Sequence, residues 1–302
     1  MPKLNRRQFL GASSAAVAWA GLSLVGCGSS ENPVPSLTST PSGSQTVVVQ
    51  GELLAFDLTG TSYRLNLVDF TVARLNENLQ TVWQVGGLGD GTGLFNFPVA
   101  LGSDGQGFLY VADRGNGEVD VLDEVDGSLV RTFGQGLLFA ARDLAVDAQR
   151  ERIYVADSSN HRIAVFDLGG ALLTSFGEFG TDNPEQLNFP SGVDVAPNGE
   201  VHVVDSGNGH VQVFSPDGAF IRVYGSFGGA LGQFQFPRSV VVASTGESFV
   251  ADGVDGFVTR FDSSGAAIDR FQPTMKGVSV QPLYLSISPS DLLVVSGVTV
   301  LS

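Results

Sequence analysis

The chain has 302 residues, 39 of them glycine, with 43% hydrophobic and only 16% charged residues and a net charge of −15. That balance describes a globular chain and excludes an intrinsically disordered one, and so acidic a surface repels phosphate backbones, which excludes nucleic acid as a general partner. A single cysteine, Cys27, excludes an internal disulfide and a cysteine-built metal cage.

The N-terminus reads as an address. Asn5-Arg6-Arg7-Gln8-Phe9-Leu10 precedes a weakly apolar run over residues 11–26, which is short of the roughly 20 residues a membrane-spanning helix needs. The run ends in Leu24-Val25-Gly26-Cys27. The first element resembles a twin-arginine export signal, carried by Arg6 and Arg7. The second resembles the bacterial lipobox, with Cys27 as the lipidated residue. The two resemblances imply a signal peptide over 1–26 and a protein of the cell envelope. Its acyl chains would hold it to a membrane at about 0.8 kcal/mol per buried methylene, on the periplasmic or cell-surface side. Residues 27–45 are mostly serine, proline, threonine and glycine and read as the lipidated cysteine followed by a flexible tether. The first 26 residues hold three basic and no acidic residues, so the remainder carries −18.

From residue 46 onward the chain repeats itself with a period of 44 to 48 residues. The clearest copies are Tyr110-Val111-Ala112-Asp113, Tyr154-Val155-Ala156-Asp157 and His202-Val203-Val204-Asp205, with a weaker one at Phe249-Val250-Ala251-Asp252. Each is followed by a β-type run, a small turn and another apolar strand. A Phe-Pro step opens three units, at Phe97-Pro98, Phe189-Pro190 and Phe236-Pro237. Each unit therefore holds four short strands. Extending the period places Asp69 in a first unit, and Val294-Val295-Ser296 in a sixth that stops after its third strand. The orphan run Thr46-Val47-Val48-Val49-Gln50 can supply the missing fourth. The expected fold is all-β: a six-bladed β-propeller of four-stranded antiparallel blades, closed by an N-terminal strand, because closure removes unpaired edges.

The pattern Phe-Pro-x-Gly-Val, then Tyr-Val-Ala-Asp-Ser-x-Asn-x-Arg-Ile-x-Val-Phe, resembles the NHL repeat, most closely at Pro190 to Val193 and Tyr154 to Phe166. The resemblance covers residues 46–302 as a single domain and implies a β-propeller, commonly six-bladed. The family's functions range over protein binding, RNA binding, ligand sensing and one lyase chemistry, so fold does not give function.

The aspartates at 69, 113, 157, 205 and 252 recur once per unit, which fits a structural role in tying hairpin N–H groups. His161, His202 and His210 are the only histidines. His161 and His210 read as equivalent starts of third strands, and His202 lies at the opposite end of its blade, so a shared metal site is not expected. Strand geometry gives a sharper candidate. The residue after the Phe-Pro step starts the innermost strand and points at the channel mouth. Round the ring these positions are Glu52, Val99, Arg142, Ser191, Arg238 and Leu283. Arg142 and Arg238, joined by Arg114 on the same face, form the candidate ligand-binding set, because guanidinium forks suit carboxylate or phosphate.

Among enzymes of this architecture, the peptidylglycine amidating lyases offer one comparison. Arg114 matches one of their active-site arginines. Their zinc-binding histidines fall at ring positions held here by Val99, Ser191, Arg238 and Leu283, and their tyrosine at positions held by Gly115, Ser159, Gly207 and Val254. The sequence therefore favours a non-catalytic, monomeric, lipid-anchored propeller that binds an envelope protein or a small anionic ligand at the channel mouth. No catalytic residue and no cofactor is assigned. The alternative is a lyase or hydrolase, amidating-lyase-like or lactonase-like, acting on a small anionic substrate; zinc or calcium would belong to that reading.

Overall fold

The computed structural model describes residues 36–39, 45–50, 52–57 and 59–299. The segment expected to be a signal peptide, Cys27 and most of the segment expected to be a tether lie outside the described residues. Six sheets surround one axis, and their innermost strands touch in sequence: Glu52–Phe56, Pro98–Ser103, Ala141–Asp147, Pro190–Val195, Pro237–Val242 and Val278–Ile287, the last returning to the first. The chain is an all-β, six-bladed propeller. Blades one to five each run from an inner strand outward through three antiparallel neighbours. In blade three these are Ala141–Asp147, Arg152–Asp157, Arg162–Asp167 and Leu172–Phe176.

Burial follows position in the blade. The second strand of blade three, Arg152–Asp157, is buried from Ile153 to Asp157 because both sheet faces meet neighbouring blades. Outer strands such as Phe220–Tyr224 alternate between covered and exposed. The core accordingly lies between blades. Tyr110, Val121, Ile153 and Phe166 form one cluster between blades two and three, and Tyr154, Val165, Val201 and Phe214 form the next. Each large side chain fully removed from water there contributes about 1.5–3 kcal/mol.

The sixth blade differs from the sequence expectation in its make-up. The C-terminal part supplies two strands, Val278–Ile287 and Leu293–Thr299, and the N-terminal part supplies the other two. Gln45–Gln50 lies beside Leu293–Thr299 and runs parallel to it, and Ser36–Ser39 pairs antiparallel on the outside. Val47, Val48 and Val49 are buried in this seam. Ser36–Ser39 falls within the stretch that composition assigns to the tether, so pairing begins ten residues earlier than expected.

The turns also correct two alignments. In blade one the second strand ends at Asn66, not Asp69; Asn66 Oδ1 accepts the N–H groups of Val68 and Asp69 at 2.8 and 3.1 Å. Asp69 occupies the turn position that Asn116 holds in blade two. His210 pairs across from Asp205 as Arg162 pairs across from Asp157. His161 lies one residue earlier, at a left-handed position (φ 55°) filled by Gly117, Gly209 and Gly256 in three other blades.

Candidate functional site

The aspartates that end the second strands fix the loops feeding the inner strands. Asp113 Oδ2 accepts the Asn96 N–H at 2.8 Å, Asp157 Oδ1 that of Phe139 at 2.7 Å, and Asp205 Oδ1 that of Asn188 at 2.7 Å. Each aspartate thus ties its own turn to the connection that enters the same blade. Immediately after that tie, the inner strands of blades two to six carry a β-bulge. The pairing register slips across Val99, Arg142, Ser191, Arg238 and Leu283. A bulge turns an otherwise paired residue out of the sheet, and here it turns five residues toward the axis.

Those five, with Arg114 and Tyr284, line one recess of about 30 Å³ at the channel mouth, enough for about two waters or one small anionic group. The structure therefore brings together Arg114, Arg142 and Arg238. Glu52 does not join them. The inner strand of blade one has no bulge, Glu52 pairs directly with Asn66, and its carboxylate faces Arg64 at 3.7 Å.

Among the described residues, none of the three arginines forms an ion pair or a side-chain hydrogen bond to a carboxylate. Asp143, next in sequence to Arg142, is held elsewhere: its two oxygens accept the N–H groups of Leu144 at 2.9 Å and Val193 at 3.0 Å. Burial pushes its carboxyl up to about 8, which favours the neutral form of this tie between blades three and four. Burial also lowers the pKa of Arg142, and the like charges of Arg114 and Arg238 lower it further. Arg238 packs over the Phe236 ring at 5.2 Å, and its Nε is buried without a partner. Gly253 makes that pose possible, since a Cβ there would stand 2.5 Å from Nε.

Tyr284 was missed in the sequence. It follows the bulged Leu283, and burial raises its phenol pKa, so it stays a neutral hydroxyl beside the arginines. Asp194, deeper along the axis, accepts the N–H groups of Val195 and Val242, and burial pushes it up to about 6.

The histidines are dispersed. His202 Nδ1 lies 3.0 Å from the Tyr224 hydroxyl, and burial pushes it down to about 4. His210 Nε2 stands 3.3 Å from Asp205. His161 Nδ1 accepts the Phe189 N–H at 3.1 Å. Among the described residues, no group of three or more His, Cys, Asp or Glu side chains could hold a metal ion.

Comparison with known families finds the NHL repeat at residues 141–166 and 187–214, the third and fourth blades. A search of curated proteins finds no match in sequence. Among solved structures, a streptogramin B lyase is similar with a TM-score of 0.59 at 11% identity, covering 86% of this chain and 82% of that one. The virginiamycin B lyase of Staphylococcus aureus is similar at 0.57 and 11%, covering 85% of each. A chain of a nidogen/laminin complex is similar at 0.55 and 17%, covering 73% of this chain and 79% of that one. At these identities the likeness is one of fold.

Proposed function

We propose that this NHL-repeat propeller is a non-catalytic, lipid-anchored protein of the cell envelope that binds a protein partner or a small anionic ligand at its channel mouth. One observation carries the reading: Arg114, Arg142 and Arg238 converge on one recess with no carboxylate to balance them. Holding three guanidiniums together costs electrostatic energy, and a carboxylate or phosphate placed among them would offset it through charge-assisted hydrogen bonds. The envelope location rests on Arg6, Arg7 and Cys27. Acetate and inorganic phosphate titrated into the purified chain should shift the Nε–H resonances of Arg142 and Arg238. Unmoved resonances up to high millimolar anion would sink the reading.

A second reading, a lyase or hydrolase acting on a small anionic substrate, is favoured by the two lyases among the similar folds. Arg114, Arg142, Ser191, Arg238 and Tyr284 would then be the polar groups facing a substrate in the recess. Metal analysis of the purified protein separates the two: stoichiometric zinc or calcium supports the enzyme.

A further inference from the structure

Exposed aromatic side chains are distributed unevenly over the propeller. Phe97, Phe139, Phe179, Phe189 and Phe227 are each between 49% and 73% exposed. All five stand in the connections that run from one blade's outer strand to the next blade's inner strand. Those connections share the face that holds the arginine recess. Leu88, Leu94, Leu137 and Leu231 are exposed in the same connections. In the turns of the opposite face, among the described residues, Val125 is the one large apolar side chain left exposed.

This collar is built. Phe97 and Phe189 hold left-handed backbone, at φ 59° and 51°, which costs a non-glycine residue about 1–2 kcal/mol and persists where surrounding structure enforces it. Each lies two residues before a bulged recess residue, Val99 and Ser191. Their rings are buttressed from one side, Phe97 by Phe70 at 5.0 Å between centroids and Phe189 by His161 at 4.4 Å. Phe139 lies three residues before Arg142.

We propose that this face docks a protein partner through a segment in which one carboxylate is flanked by apolar side chains. The carboxylate enters among Arg142, Arg238 and Arg114, and the flanking side chains cover Phe97, Phe139 and Phe189. The proposal rests on the anion reading of the recess and adds the occupant. The recess admits only a small group, about 30 Å³, whereas the apolar side chains spread over the connections of four blades. A small ligand would leave most of them in water; a protein surface covers them. Aromatic residues with arginine at the centre is the composition of a protein–protein contact core, and Lys276 is the one lysine in these connections. A second copy of this chain is disfavoured, since it would set three arginines against three arginines within a −15 field. Anionic lipid is disfavoured by the same net charge.

The test selects dodecapeptides from a random library, displayed with free and with blocked C-termini, on the full-length chain. An enriched peptide is then synthesised and its Kd measured against three proteins: wild type, the triple variant Phe97→Asn, Phe139→Ser, Phe189→Asn, and the double variant Arg142→Gln, Arg238→Gln. Asparagine tolerates the left-handed backbone, and all three phenylalanines are exposed, so the triple variant should keep its thermal midpoint; if it does not, Phe139→Ser alone carries the comparison. Expected are peptides with an acid between apolar residues, bound at least tenfold more weakly by both variants. Acetate titrated in parallel should respond in the triple variant as in wild type and lose its response in the arginine variant. Peptides without an acid, or affinity unchanged in the triple variant, would overturn the proposal. So would collar-dependent dimerisation in sedimentation, or collar-dependent binding to phosphatidylglycerol vesicles. An absent acetate response in wild type overturns the anion reading instead.

Discussion

Arg142 and Arg238 stand in the bulges of blades three and five and face one recess without a carboxylate between them. Replacing both with glutamine keeps hydrogen-bonding capacity and removes two mutually repelling charges. A charge-assisted bond to a bound anion contributes about 1.5–3 kcal/mol, so anion or peptide affinity should fall about ten- to hundredfold and its salt dependence should flatten. The thermal midpoint should hold or rise, because no native ion pair is broken. A lower midpoint with unchanged binding would mark the arginines as structural plugs.

Gly253 offers an independent handle on the same site. Its Cα lies against the Arg238 side chain, and an added Cβ would meet Nε at 2.5 Å and Cδ at 2.6 Å. Both atoms belong to a flexible side chain that can move. Gly253 is itself buried, so Gly253→Ala should displace the guanidinium and weaken anion binding severalfold, at a stability cost of about 1–3 kcal/mol, the range of overpacking a filled site. Chemical denaturation and the acetate titration read the two effects separately.

The recess was legible where the repeat is regular. The Phe-Pro step marks the start of an inner strand, so Val99, Ser191 and Arg238 followed from it, and Arg142 and Leu283 followed from spacing. Blade one has no such step, and there the reading slipped: Glu52 pairs with Asn66 and faces Arg64. Asp69 was misplaced because a 44-residue offset carries a count but no register, and Asn66 ends that strand in its stead. The lack of a counter-ion was not legible either. Asp143 adjoins Arg142 in sequence, and only the fold shows its carboxyl claimed by two backbone N–H groups. Nor does the sequence say that both outer positions of the sixth blade come from the N-terminal side.

That closure predicts a graded response to N-terminal deletion. Removing Ser36–Ser39 takes away an outer strand and should lower the thermal midpoint modestly. Removing Gln45–Gln50 also takes Val47, Val48 and Val49 out of the core, at about 1.5–3 kcal/mol each, and exposes the edge of Leu293–Thr299. Against a typical total of about 5–15 kcal/mol, that should unfold the ring or bring its midpoint near ambient temperature. Equal midpoints for the two deletions would show that the seam does not hold the ring.

The export reading makes its own prediction. Cys27→Ser should move the protein from the membrane fraction to the soluble or unprocessed pool, and Arg6→Lys with Arg7→Lys should hold it in the cytoplasm. A cysteine variant that still pelleted with membranes after a high-salt wash would rule out lipid anchoring.

Blade two carries a charge arrangement that its siblings avoid. Asp113 has Glu118 and Asp120 across the next strand, where blade three places Arg162 and blade four places His210 and Gln212. Gln212 donates to Asp205 Oδ2 at 3.0 Å and to the Gln186 carbonyl at 2.6 Å. Asp120, only 2% exposed, has one oxygen with no partner at all. Burial first, then the charges of Glu118 and Asp113, push its carboxyl from 3.8 up to about 7. A carboxyl whose pKa is raised on folding binds its proton more readily in the folded state, so between these values stability falls as pH rises. The contribution is fully present below about 3.8 and is lost as pH passes through 7. Asp143 and Asp194, raised to about 8 and about 6, act in the same direction. His202, pushed down from 6.5 to about 4, acts the other way between those values, but one group set against three raised carboxyls should leave the wild-type midpoint higher at pH 5 than at pH 8. Asp120→Gln copies the solution of blade four: it supplies an amide donor to Asp113 and removes a buried charge. It should stabilise the protein by about 1–3 kcal/mol at pH 8, the scale of relieving an unsatisfied buried group, and by less at pH 5, narrowing the gap between the two midpoints. Denaturant melts at both pH values decide it, and an equal gain at each would show that the Asp120 carboxyl does not titrate across this window.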